Sequence, residues 1–137
     1  MTPPAEGNVV FLTPHRSEAE AIARLVEPTL LRVHHATTLA QAGELLRTTQ
    51  ARVLVAETSF PDSTWRDLLR WLETFHPKVA LVLTDQQADA RLWSEILHHG
   101  AYDLISKPFH ATEVCRILRG AERHAAGSDL RFVSMAS

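Results

Sequence analysis

Four short apolar runs in this chain each end on residues that could do chemistry. Val9 to Leu12 ends on Thr13-Pro14, Val53 to Ala56 on Glu57, Val79 to Leu83 on Thr84-Asp85, and Tyr102 to Ile105 leads through Ser106 to Lys107-Pro108. An ammonium and a hydroxyl together can hold an anionic group. A carboxylate beside them can either accept such a group or stand in for it. A lone carboxylate is a poor seat for a divalent ion, because Mg²⁺ demands octahedral oxygen coordination and usually one or two carboxylates in addition to phosphate and water. Pro14 brings no donor or acceptor side chain and fixes its own φ.

For these ends to meet, the runs must be neighbouring strands. Five strand candidates, Val9 to Leu12, Leu30 to His34, Val53 to Ala56, Val79 to Leu83 and Tyr102 to Ile105, alternate with segments of helical period. Three of the runs are continuously apolar, as strands covered on both faces are. The stripes Ile22/Leu25/Val26, Leu39/Ala42/Leu45/Leu46, Trp65/Leu68/Leu69/Leu72, Leu92/Trp93/Ile96/Leu97 and Val114/Ile117/Leu118/Ala121 repeat at three and four residues. Capping boxes are expected at Ser17-x-x-Glu20 and Thr38-x-x-Gln41, and Asp62 or Ser63 is expected to cap the third helix. Pro28, Pro77 and Gly100 mark helix ends. Five βα units with short links predict an α/β doubly wound parallel sheet of order 2-1-3-4-5, whose sites lie beyond the carboxyl ends of the strands.

Length and charge bound the rest. The chain has 137 residues and a formal charge of −2. It is one domain by size, and its net charge gives no electrostatic reason to expect nucleic acid or an anionic membrane, so a protein is the expected partner. Composition places the domain at residues 8–124, with a loose terminus at 1–7 and a flexible tail or start of a linker at 125–137. Without a signal peptide or an apolar run of roughly 20 residues, the expected setting is soluble and cytoplasmic. The single Cys115 cannot form an intramolecular disulfide and reads as an inert, half-buried thiol. Eight histidines include the adjacent pairs His34-His35 and His98-His99, whose side chains are expected to diverge, and none has metal-ligand spacing. No nucleophile elbow or glycine-rich phosphate loop is present, so neither an enzyme nor a cofactor is expected.

Taken in order, Glu57 with Pro61 four residues on, Thr84, Gly100-Ala101 and Leu104-Ile105-Ser106-Lys107-Pro108-Phe109 resemble the motifs of response-regulator receiver domains over residues 8 to 124. The resemblance implies a phosphoryl-accepting aspartate at the third strand's end, two acidic Mg²⁺ ligands after the first strand, a sensing hydroxyl ending the fourth, and a lysine before a cis proline. Here Glu57 holds the acceptor position, Thr13 and Pro14 replace the acidic pair, and Leu104 replaces the aromatic switch residue. Only Thr84 and Lys107 are kept, and Lys107-Pro108 is expected to be cis.

The resulting expectation is an atypical receiver that acts in signalling or transcriptional regulation by phosphorylation-independent binding to an effector domain or another protein. Glu57, paired with Lys107 and hydrogen-bonded by Thr84, either mimics a phosphorylated state or is simply a solvated strand-end carboxylate. The alternatives are a weak phosphoacceptor using Glu57, with Asp62 or Asp85 helping to hold Mg²⁺, and a small-anion-binding module. By the same resemblance, the face of helix four, strand five and helix five is expected to form a homodimer. Arg91, Glu95, Asp103, Arg116, Arg119 and Arg123 belong to that face, with Asp103 and Arg119 pairing across subunits.

Overall fold

The computed structural model describes residues 7–60 and 63–136, with side chains for 7–59 and 63–127. Five parallel strands form the sheet: β1 (Gly7–Leu12), β2 (Leu31–Ala36), β3 (Val53–Glu57), β4 (Ala80–Asp85) and β5 (Asp103–Ser106). Their spatial order is β2-β1-β3-β4-β5, the doubly wound arrangement expected from the sequence. The helices are α1 (Arg16–Leu25), α2 (Leu39–Thr49), α3 (Trp65–Phe75), α4 (Ala90–His98) and α5 (Ala111–Ala136).

Alternation along the buried strands sorts the side chains into two layers. Val10, Leu12, Leu54, Ala56, Leu81, Leu83 and Leu104 face the helices α2, α3 and α4, whose Leu46, Leu69, Leu72 and Ile96 close that core. Val9, Phe11, Val53, Val55, Val82 and Ile105 face the other way, against Ile22 of α1 and Val114, Leu118 and Ala121 of α5. A one-residue slip of any central strand would exchange its two sets, so this packing fixes the register. In that register Leu12 lies beside Ala56 and Glu57 beside Thr84.

Helix boundaries depart locally from the pattern. The first helix starts at Arg16 behind His15, which makes no side-chain cap; Ser17 therefore lies inside the first turn, and Arg16 pairs with Glu20 at 3.2 Å. Thr38 does cap α2, accepting from the Gln41 N–H at 3.1 Å, but Gln41 Oε1 reaches back to the N–H of Thr37 at 2.9 Å, one residue before the cap. The cap of α3 is Thr64 in a capping box with Asp67, in place of Ser63. Asp62 and Pro61 lie outside the described residues. A two-stranded ribbon, Ser59–Phe60 with Ser63–Thr64, precedes α3 and has no counterpart in the periodicity. Pro28 sits in a single 3-10 turn after α1, and Gly100 takes φ +109° after α4, a left-handed backbone that favours glycine. The last helix continues to Ala136 without a break at residue 125. No proline lies between Ala111 and Ser137 to stop it. Among the described residues, no helix is long and apolar enough to cross a membrane.

Candidate functional site

Because the strands are parallel and in register, Thr13, Glu57, Thr84 and Lys107 all emerge at one edge of the sheet. Lys107 follows β5, and the Lys107–Pro108 peptide is cis. Its ammonium donates to Glu57 Oε1 at 3.1 Å. It also donates to Glu18 Oε1 at 2.8 Å. Glu57 is therefore not alone: Glu18, in the first turn of α1, is a second carboxylate on the same lysine. The sequence signal for it was an acidic residue in the helix turn following β1, which points to the same edge as the strand ends. Both carboxylates and the ammonium are mostly shielded, their side chains 22%, 17% and 14% exposed for Glu18, Glu57 and Lys107. Such a triad is worth more than a surface pair.

The hydroxyls do not sit as expected. Thr13 is fully buried, and its Oγ1 donates to Glu57 Oε1 at 3.3 Å while accepting from the His15 N–H at 3.1 Å. Thr84 is also fully buried, but its Oγ1 has no partner, so the expected Thr84–Glu57 hydrogen bond is replaced by one from Thr13. Pro14 is exposed. Leu104, at the position of the expected aromatic, is buried in the α4-side core.

Electrostatics follow from this geometry. Burial alone would raise the pKa of Glu57, but hydrogen bonding with Glu18 and Lys107, then the charges of Lys107 and His15, hold it below its ordinary 4.5. Lys107 is the mirror case: burial lowers its pKa, and its bonds to Glu18 and Glu57 carry it above the ordinary 10.5. Glu57 and Lys107 therefore stay paired as carboxylate and ammonium at neutral pH.

The donor set does not fit a divalent ion. Glu18 and Glu57 both spend Oε1 on Lys107, and Asp85 is committed elsewhere: Oδ2 accepts from the Thr58 hydroxyl, and Oδ1 accepts from the Gln87 N–H at 2.6 Å. Among the described residues no three metal-ligating side chains converge.

The face formed by α4, β5 and α5 is partly engaged within the chain. Trp93, 48% exposed on α4, donates its indole N–H to Asp103 Oδ1 at 2.9 Å, and Glu95 pairs with Arg66 of α3. Asp103 and Glu95 thus have partners within the chain, while Arg91, Arg116, Arg119 and Arg123 are exposed. Elsewhere, Cys115 is half-buried with its thiol 3.1 Å from the Leu25 carbonyl. The rings of His98 and His99 do not diverge but meet edge-on at 5.6 Å. Trp71 packs on His76, whereas Phe75 is 66% exposed.

Comparison with known proteins agrees with this architecture. A family model described as the response regulator receiver domain matches residues 9–119. No curated protein matches the chain. Among solved structures, the signal receiver domain of a putative Luxo repressor protein from Vibrio parahaemolyticus is 18% identical and superposes with a TM-score of 0.79, over 90% of this chain and 95% of that one. The signal receiver domain of an HD domain-containing protein from Pseudomonas fluorescens Pf-5 is 20% identical, with a TM-score of 0.78 over 96% and 97% of the two chains. The beryllofluoride-activated NtrC4 receiver domain dimer is 16% identical, with a TM-score of 0.75 over 86% of this chain and 98% of that one.

Proposed function

The chain belongs to the response regulator receiver domain family, and on that premise we propose that it is a receiver whose phosphoryl-neutralising lysine is held by carboxylates of its own chain, so that it signals by binding another protein and not by being phosphorylated. One observation carries this reading: the ammonium of Lys107 is already held by two carboxylates, Glu57 at 3.1 Å and Glu18 at 2.8 Å. In phosphoryl transfer the protein contributes mainly positioning and charge neutralisation. Here the neutralising cation is occupied, the acceptor position carries a glutamate tied to it, and the remaining carboxylate, Asp85, is bound to Thr58 and the Gln87 amide. Glu57 thus supplies in a fixed form the negative charge that a phosphoryl group would bring. Leu104, in place of an aromatic ring, is buried in the α4-side core.

The partner surface that fits this reading is the α4–β5–α5 face. Exposed Trp93 beside Arg91, Arg116, Arg119 and Arg123 offers an apolar anchor within a basic field, a composition that suits a protein contact. Pairing of two copies here, with Asp103 of one meeting Arg119 of the other, uses the Asp103 oxygen that the Trp93 indole leaves free.

Incubation of the protein with acetyl phosphate and Mg²⁺, followed by intact-mass measurement, tests the central step. The expected result is an unchanged mass; an adduct of about 80 Da on Glu57 would overturn the proposal.

A further inference from the structure

We propose that the cavity beside Lys107 receives the cationic head of a basic side chain, a guanidinium or primary ammonium on an apolar stem, presented by a protein partner. This rests on the reading that the site no longer accepts a phosphoryl group, and it names what the site takes instead. The cavity, about 310 Å³, is lined by Glu18, Glu57, Asp85, Thr84 and Lys107 among others. Three carboxylates against one ammonium and the His15 imidazole leave an excess of formal negative charge, which repels an oxyanion and attracts a cation.

Two residues of this lining each carry a solvent-shielded polar atom without a partner: Glu18 Oε2, whose sister oxygen is taken by Lys107, and Oγ1 of the fully buried Thr84. Buried polar groups without partners are costly, and a guanidinium carries five donors in a planar fork that can reach separated acceptors. The acceptors here do not converge as a divalent ion requires, because Glu18 and Glu57 turn to Lys107 and Asp85 turns to Thr58. A planar, multi-donor cation has no such requirement.

The surroundings define the rest of the ligand. A second cavity of about 530 Å³, lined by Ala21, Pro108 and Phe109, shares Glu18, Gln86 and Lys107 with the first. The charged cavity therefore adjoins an apolar trough across these residues. Arginine and lysine match this shape, since their methylene stems lie on apolar surface while the head stays polar.

The test follows amide shifts by ¹⁵N–¹H NMR on the full chain, with methylguanidinium, butylguanidinium, inorganic phosphate and magnesium chloride added at matched ionic strength. Butylguanidinium is expected to shift the amides of Glu18, Thr58, Thr84 and Lys107 saturably and at lower concentration than methylguanidinium. Glu18→Gln is expected to weaken it about tenfold. A short peptide with arginine between two leucines is expected to bind more tightly still. A saturable response to phosphate or magnesium with none to butylguanidinium would overturn the cation site, as would a flat response to all four probes. Butylguanidinium binding more tightly than the peptide would overturn the protein partner. These outcomes are read without acetyl phosphate, so they stand or fall separately from the mass measurement.

Discussion

Lys107 is the residue on which the edge of the sheet turns. Replacing it with methionine leaves Glu18 and Glu57 facing one another at partial burial without a cation. The expected loss of stability is about 1–3 kcal/mol, measured by urea denaturation. An unchanged midpoint would mean that the triad contributes nothing to the fold. The pH dependence has a defined sign. Glu57 has its pKa lowered in the folded chain, so its contribution is present above the ordinary 4.5 and is lost as pH falls through the folded value. Lys107 has its pKa raised, so its contribution is complete below 10.5 and is lost as pH rises through the folded value. Thermal stability should therefore fall at both limits, and Glu57→Gln should flatten the acid limb specifically. Lys107 and Glu57 were legible in the sequence because each closes an apolar run. Glu18 was overlooked because it closes no apolar run; its one signal was its place in the first helical turn after β1, five residues past Thr13. The partner of Glu57 was misassigned to Thr84 for a related reason. Spacing places Thr84 beside Glu57 in register, but only packing shows that its hydroxyl makes no bond to that carboxylate while the hydroxyl of Thr13 does.

At the scale of elements, caps and close approaches decide the details that periodicity leaves open. Thr64 and Asp67 form the box at the start of α3, with the Thr64 N–H donating to Asp67 Oδ2 at 3.2 Å. Thr64→Ala should cost about 1 kcal/mol, read from chemical denaturation, and Ser63→Ala much less. Choosing between Asp62, Ser63 and Thr64 needed the three-residue spacing to Asp67, a signal that three adjacent cap-type residues obscure. Gly120 lies inside α5 where a Cβ would stand 2.5 Å from the Tyr102 hydroxyl. Gly120→Ala should therefore destabilise by about 1–2 kcal/mol despite the better helix propensity of alanine. The double change with Tyr102→Phe removes the clash and should recover most of that loss; a stable single variant would show that the tyrosine yields freely. The ribbon at Ser59–Phe60 and Ser63–Thr64 escaped the sequence reading because two-residue strands carry no alternation to detect.

For the whole molecule, the strand order was the most legible property. Five βα units with short links leave few unknotted arrangements, and right-handed crossovers select among them. That order then gathers the strand ends at one edge whatever their chemistry, which explains why a fold shared at 16 to 20% identity can keep its architecture while its site residues change. Helix boundaries were less legible because they depend on single side chains. Self-association belongs at this scale too: light scattering on size-exclusion fractions should give twice the 15.3 kDa chain mass. Arg119→Asp should return it to one chain, and an unchanged elution for both proteins at the monomer position would remove the α4–β5–α5 pairing. The account as a whole requires that Lys107 be neutralised by carboxylates of its own chain. The most direct measurement is a ¹³C NMR titration of the Glu57 side-chain carboxyl in the wild type and in Lys107→Met. The account predicts a midpoint below 4.5 that rises when the lysine is removed; a midpoint at or above 4.5 that the substitution does not move would contradict it.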